Sequence, residues 1–193
     1  MKRFFDIVFS LLGLVFLCWL FVILALCVGL TSKGGVFYKQ KRVGRNGKDF
    51  VLYKFRSMHI DADKDSLITI GRRDIRITKI GYFIRKHKLD ELPQLINVLL
   101  GDMSLVGPRP EVRFYVNMYT EEQKKVLDVR PGITDPSSII YKNENDVLGT
   151  QNNPQQYYVD VIMPNKLQIN LEYIQKRTLF TDIKVILQTM RIL

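Results

Sequence analysis

The chain has 193 residues, 47% of them hydrophobic and 25% charged, and a formal net charge of +10; that length holds one core plus an anchoring segment and argues against two full domains. The surplus is local, because Lys33 to Lys88 carries 16 Lys and Arg against 5 Asp and Glu while the remainder sums to −1. A basic region of this kind suits anionic lipid head groups, phosphorylated ligands or nucleic acid, and its place just after an apolar stretch favours lipid and phosphate.

That apolar stretch comes first. From Ile7 to Ser32 no side chain is charged, and a bilayer core of about 30 Å needs roughly 20 such residues in a helix. It is longer than the apolar core of a signal peptide, and no Ala-x-Ala-like cleavage site follows. Lys2 and Arg3 precede it and Lys33, Lys39, Lys41, Arg42 and Arg45 follow it, so both ends prefer the cytoplasmic side, which favours a re-entrant helix over a spanning one. Against re-entry, the middle reads Phe16-Leu17-Cys18-Trp19-Leu20, with no proline to break the helix. The only cysteines, Cys18 and Cys27, lie about 13 Å apart along such a helix, too far for a bond between them, and nothing in the chain needs an oxidising compartment.

Beyond Gly34-Gly35, Val36-Phe37-Tyr38 and Phe50 to Phe55 read as strands around a turn at Gly44-Arg45-Asn46-Gly47. His59 to Arg73 reads as a helical turn or mobile loop; Asp61-x-Asp63-x-Asp65 resembles the start of a calcium loop but lacks its glycine and distal Glu. Leu89, Leu92, Leu95, Ile96, Leu99 and Leu100 fall at helical spacing, with Asp90 where an N-cap stands and Pro93 in the first turn. A polar helix is predicted over Glu111 to Leu127, a turn at Arg130 to Thr134, a loop-like Ser/Asn/Gln-rich stretch from Asp135 to Gln156, and an amphipathic helix over Thr181 to Leu193. The fold class is α+β, mainly helical: a membrane-inserted, re-entrant helix over residues 1–33, then a cytosolic domain over 34–193 at the membrane interface, with a short β-hairpin and amphipathic interfacial helices.

The chemistry concentrates at Asp90-Glu91. An isolated Asp-Glu pair usually caps a helix and complements its dipole. Here Lys54, Arg76, Arg85 and Arg109 are candidate neighbours, and cations with helix-end amides favour ionised carboxylates and bind phosphate oxygens. One ionised carboxylate can attack phosphorus while the other holds a divalent metal, and adjacent residues on a helix point apart, which suits two different roles. Pro108 and Pro110 freeze the backbone around Arg109, a useful trait for bidentate phosphate binding.

Together these stretches resemble the monotopic phosphoglycosyl transferases, small bacterial sugar transferases. The matching pieces are Arg3-Phe4-Phe5-Asp6, Gln40-Lys41-Arg42-Val43-Gly44, Tyr53-Lys54-Phe55-Arg56-Ser57-Met58, Asp74-x-Arg76-Ile77-Thr78, Leu89-Asp90-Glu91-Leu92-Pro93-Gln94-Leu95-x-Asn97-Val98-Leu99, Gly101 to Pro110, and Arg130 to Thr134, in order over nearly the whole chain. The resemblance implies transfer of a sugar-1-phosphate from a UDP-sugar to polyprenyl (undecaprenyl) phosphate, with release of UMP, an aspartyl-phosphosugar intermediate and Mg2+. It implies Asp90 as nucleophile, Glu91 as its metal-coordinating partner, and Lys54 and Arg109 on phosphate, with Arg76, Arg85 and Arg130 supporting the charge. It places the chain at the inner membrane with its catalytic domain on the cytoplasmic face, in the first membrane step of bacterial surface glycan assembly. One departure is Cys18-Trp19 where the family has the Ser-Pro pair that bends its re-entrant helix. A membrane-tethered basic module that binds anionic lipid or nucleic acid without catalysis is the alternative, but it leaves the acid pair and the Pro-Arg-Pro turn unexplained, so no nucleic-acid partner is expected. Sugar contacts are expected between Asp135 and Tyr157, and Ile183, Ile186, Leu187 and Met190 are available to the core, to lipid or to a homodimer partner. The whole reading rests on a charged Asp90 oxygen, reachable where lipid meets cytosol.

Overall fold

The computed structural model describes residues 1–62, 68, 69, 71 and 74–192; Asp63 and Asp65 lie outside the described residues. The chain starts with α1 (Lys2–Phe16) and α2 (Cys18–Thr31). Neither is long and apolar enough alone to cross a membrane, but together they are, with a bend of 63° between them. The break falls at Leu17 with no proline there. Its physical origin is tertiary, because the two helices are anchored to different parts of the body. Helix α1 buries Asp6 and Ser10; Asp6 Oδ1 accepts from Ser104 Oγ at 3.0 Å and from the Leu105 amide at 3.1 Å. Helix α2 buries Leu24 and Val28 against Phe55 and Ile84, with Phe21 and Phe55 rings 5.4 Å apart. Cys18 and Cys27 are free thiols.

The expected hairpin forms. Strands β1 (Phe37–Val43) and β2 (Asp49–Phe55) pair antiparallel from Phe37↔Phe55 to Val43↔Asp49, and the turn between them puts Asn46 at a positive φ of 57°, which Asn tolerates better than most residues. Thr78 then caps α3 (Lys79–Lys86), its hydroxyl accepting from the Gly81 amide at 2.9 Å.

The leucine-spaced segment is not one helix. Leu89–Glu91 forms a 3-10 turn entered through Lys88 at φ 54°, and α4 covers Gln94–Leu100 with Pro93 as its N-cap. Asp90 therefore does not cap α4; it lies one turn before it. Asn97, fully buried, fixes α4 to the hairpin: its Oδ1 accepts from the Tyr53 amide at 3.0 Å and its Nδ2 donates to the Val51 carbonyl at 2.7 Å. That satisfies edge groups of β2 and sets the acid pair beside Lys54.

Three further expectations change. The predicted turn at Arg130 to Thr134 contains β4 (Gly132–Thr134), which runs parallel to β3 (Ser104–Val106). This pairing needs two glycines, since a Cβ on Gly132 would sit 2.1 Å from the Gly107 amide nitrogen and one on Gly107 2.5 Å from the Arg130 carbonyl. The predicted helix over Glu111 to Leu127 is broken into α5 (Arg113–Val116), α6 (Glu121–Lys124) and a 3-10 turn, because Thr120 starts a new helix through a capping box with Gln123. The loop-like stretch holds α7 (Pro136–Ile140), α8 (Glu144–Gly149) and α9 (Pro154–Tyr157), the first capped by Asp135, whose carboxylate accepts from the Ser137 and Ser138 amides at 2.8 and 3.1 Å. A π-helical turn at Tyr158–Ile162 leads into α10 (Met163–Lys176), and α11 (Leu179–Ile192) closes the described chain. The result is mainly helical with small two-stranded pairings. The main apolar cluster lies between α5 and α10, around Tyr115, Tyr158 and Ile162.

Candidate active site

Three elements converge on the acid pair. Strand β2 supplies Lys54, the 3-10 turn supplies Asp90 and Glu91, and the segment after β3 supplies Arg109, held by the Gly107 amide donating to the Thr134 carbonyl and the Gly132 amide to the Pro108 carbonyl, both at 3.0 Å. Lys54 Nζ lies 2.9 Å from Glu91 Oε1. Arg109 reaches both oxygens of the same carboxylate, with Nη1 3.2 Å from Oε2 and Nη2 paired to Oε1. This bidentate geometry fixes Glu91 in a largely buried place.

The two acids have opposite electrostatics. Burial pushes the Glu91 carboxyl up, but Arg109 and Lys54 outweigh it and hold Glu91 well below the usual carboxylate range. For Asp90, burial and the neighbouring Glu91 charge push the carboxyl above its ordinary value, and Lys54, Arg85 and Lys88 oppose them only in part. Burial lowers the Lys54 ammonium against the pull of Glu91, and Glu91 raises Arg109.

This corrects the sequence reading in one respect. Asp90 was expected as an open carboxylate kept charged by its neighbours, and the residue is 4% exposed with its proton held more tightly than usual. The local cause is the 3-10 turn, which packs Asp90 against the body instead of leaving it at a helix end. Even so, no hydrogen bond among the described residues ends on its carboxylate. Its oxygens are also not among the sealed polar atoms lacking a partner, which are Gln94 Nε2, Tyr115 OH and Asn170 Oδ1. Asp90 is thus the unclaimed acid of the pair and Glu91 the claimed one.

The other predicted cations are dispersed. Arg85 acts on Asp90 as a nearby charge while its Nη2 donates to Thr69 Oγ1 at 3.0 Å. The Arg76 guanidinium is engaged by Asp74 and by the carbonyls of Ala62 and Ile68, each at 2.8 Å. Arg130 donates to the Gly101 carbonyl at 2.8 Å and lines a separate cavity at the start of α1.

Two residues near the pair were given no role of their own from the sequence. Lys88 bears on both acids; its signal was its place at the end of the basic run Arg85-Lys86-His87-Lys88 just before the pair. Gln94 is buried with an unpartnered Nε2, one turn after Asp90; nothing in a single sequence separates it from a helix-surface glutamine. The segment from Asp135 onward also belongs to this neighbourhood, because Asp135 and Glu144 both bear electrostatically on Arg109.

Among the described residues, no group of three or more His, Cys, Asp or Glu is placed to hold a metal ion. The acid pair offers carboxylate oxygens only, a sparse set that suits Mg2+, which is bound by one or two carboxylates and completed by water and substrate phosphates.

The sequence profile of bacterial sugar transferases matches residues 1–193. A Bacillus subtilis protein provisionally named an undecaprenyl-phosphate N-acetylgalactosaminyl 1-phosphate transferase is 46% identical over 121 residues, 63% of this chain and 68% of its own. The uncharacterized sugar transferase EpsL of the same organism is 36% identical over 191 residues, 99% of this chain and 86% of its own. The UDP-glucose:undecaprenyl-phosphate glucose-1-phosphate transferase of Klebsiella pneumoniae is 36% identical over 192 residues, covering 97% of this chain, which spans 39% of that relative's length. With the profile matching from the first residue to the last, the chain belongs to the bacterial sugar transferase family.

Proposed function

We propose that this chain transfers a sugar-1-phosphate from a UDP-sugar to undecaprenyl phosphate through a covalent intermediate on Asp90. The carrying observation is the division within the acid pair: Glu91 is gripped by Lys54 and Arg109, while the Asp90 carboxylate beside it takes no hydrogen bond from a described residue. In the first step an Asp90 carboxylate oxygen attacks the phosphorus that bears the sugar, and the bond from that phosphorus to the bridging oxygen breaks. UMP leaves with the bridging oxygen and the electron pair. In the second step a phosphate oxygen of the polyprenyl phosphate attacks the same phosphorus, and the acyl-phosphate bond breaks to restore the Asp90 carboxylate. Lys54 and Arg109 are the groups whose charge can pass from Glu91 to the phosphate oxygens, and phosphoryl transfer depends mainly on such positioning and neutralisation.

Glu91, with Asp90, would hold Mg2+ shared with the substrate phosphates. Bound there, the ion supplies charge neutralisation on the phosphate oxygens. The unpartnered Gln94 amide is a spare donor within one turn of the nucleophile. The reading places α1 and α2 as a re-entrant pair in the inner membrane, supported by the 63° bend and by basic residues at both ends of the apolar stretch, with the acid pair on the cytoplasmic side.

The named sugars differ between relatives, glucose in one and N-acetylgalactosamine in another, so the donor is open. Residues 135–157 are the proposed source of sugar choice because Asp135 and Glu144 act on Arg109. Exchanging that stretch with one from a relative of a different donor is expected to move donor preference; an unchanged donor rejects the assignment. The reaction itself is tested by UMP release over a panel of UDP-sugars, with and without undecaprenyl phosphate. Without acceptor, the covalent route gives one equivalent of UMP and a sugar-phosphate trapped on Asp90. If UMP appears only when both substrates are present, a single direct displacement replaces the covalent intermediate.

A further inference from the structure

Away from the acid pair, a cavity of about 300 Å³ opens where the first turn of α1 meets β3, the 3-10 turn before Arg130, and the junction of α10 and α11. Its walls are basic in an unusual way. Lys2 is spent on Asp182 at 2.5 Å, and Arg3 is spent on the carbonyls of Val98 and Leu99 at the end of α4. The remaining cations have no acidic partner among the described residues: Arg45 and Arg130 each give only Nε, to the carbonyls of Asp128 and Gly101, and the exposed Arg177 makes no described hydrogen bond or ion pair. Arginines left unneutralised around one cavity form a site for an anion with several acceptor oxygens.

The surroundings narrow the class of anion. Helices α1 and α11 both begin at the rim, so their positive ends face it. Both carry bare apolar faces away from it: Phe4 and Phe9 on α1, and Phe180, Ile183, Leu187 and Met190 on α11, with Phe180 78% exposed. Large apolar side chains bared in a row on two helices mark a surface that is covered in use. On the reading that places α1 in the bilayer, lipid covers those faces whatever fills the cavity, so the anion nearest to hand is one that carries acyl chains of its own. An anionic phospholipid uses both, with its phosphate among Arg45, Arg130 and Arg177 and its acyl chains along α1 and α11.

We infer that this cavity is a head-group site for an anionic membrane phospholipid, separate from the acid pair, that seats the amino-terminal end of α1 at the bilayer surface. It is tested by binding alone. The full chain in uncharged detergent micelles is titrated with a short-chain phosphatidylglycerol, with phosphatidylcholine of the same chain length and with inorganic phosphate in parallel. Phosphatidylglycerol is expected to bind tightest. The Arg45→Gln/Arg177→Gln double variant should bind it about fivefold more weakly for each arginine removed. Asp128→Asn, which removes an exposed acid from the cavity wall, should bind it more tightly. Equal binding of phosphatidylcholine, inorganic phosphate binding as tightly as the lipid, or variants that bind as the parent does would each overturn the assignment.

Discussion

The acid pair and the cavity at the start of α1 both gather cations, and they use them differently. At the acid pair, Lys54 and Arg109 converge on Glu91, and a largely buried carboxylate neutralises them in the resting protein. In the cavity, Arg45, Arg130 and Arg177 meet carbonyl oxygens or no described partner. A carboxylate that grips two cations fixes their positions to within a hydrogen bond, which is what a reacting phosphate needs. Arginines left on carbonyls keep their charge available and their positions loose, which suits a ligand held without chemistry. The difference teaches that a basic composition does not by itself locate a site for phosphate chemistry; cations paired on one carboxylate are the sharper sign.

The sharpest break of this comparison is at Asp90. Asp90→Asn is expected to lower UMP release by roughly 10³-fold or more, since the adjacent carboxylate, Glu91, is held by Lys54 and Arg109 and is not free to replace a covalent nucleophile. The melting temperature should hold or rise, because the substitution removes a charge that burial and Glu91 both disfavour. Normal turnover by this variant would remove Asp90 from the chemistry. Next in size is Glu91→Gln. Losing one partner of a mostly buried ion pair costs about 3–5 kcal/mol, and the partial exposure of Arg109 points to the low end of that range. The measurement is chemical denaturation, and a loss below about 1 kcal/mol would show that Lys54 and Arg109 do not depend on Glu91.

The reach of the sequence follows the same division. The apolar stretch, the hairpin and Arg109 were legible, because uncharged runs, alternation around a Gly-rich turn and a proline-locked arginine are local signals; Lys54 stood out no more than Arg76 and Arg85, which hydrogen-bond elsewhere. The motif asparagine, Asn97, could be aligned but not explained, since its role is to satisfy the edge of a strand more than forty residues earlier. The basic flanks favoured a bend, but its place at Leu17 was hidden for a related reason: no residue there breaks a helix, and the break is imposed by separate anchors at Asp6 and at Leu24 and Val28. The parallel pairing of β3 and β4 was hidden because each strand is three residues long, although Gly107 and Gly132 carried its steric requirement. The short helices after Asp135 had signals in Asp135-Pro136 and Asn153-Pro154, which the polar composition masked. Burial of Asp90 was not legible at all, as it depends on how a 3-10 turn replaces the first turn of a helix.

Metal removal tests the acid pair from the ligand side. Chelation of Mg2+ is expected to abolish UMP release and to leave the melting temperature of the substrate-free chain nearly unchanged, because Lys54 and Arg109 already neutralise Glu91 without it. A large drop in melting temperature on chelation would mean that an ion, and not the two cations, organises the site at rest. A smaller effect is expected at Lys54. Lys54→Met removes one ammonium whose charge is already disfavoured by burial and leaves Glu91 its two bonds to Arg109. A loss of about 1.5–3 kcal/mol is expected, the range for one hydrogen bond to a charged group.

The smallest effect belongs to the cavity and completes the comparison. Arg177 is exposed and makes no described ion pair or hydrogen bond, so Arg177→Gln should change stability by less than about 0.5 kcal/mol in detergent, as for surface positions without a special contact. Placed in vesicles that contain phosphatidylglycerol, the parent chain should gain melting temperature over vesicles of phosphatidylcholine alone, and Arg177→Gln should lose part of that gain. Because the variant and the parent are expected to be equal in detergent, any difference that appears only with the anionic lipid reports ligand binding and not folding. A loss as large in detergent as in lipid would instead make Arg177 a structural residue of the same kind as Lys54, and the contrast between the two groups of cations would fall.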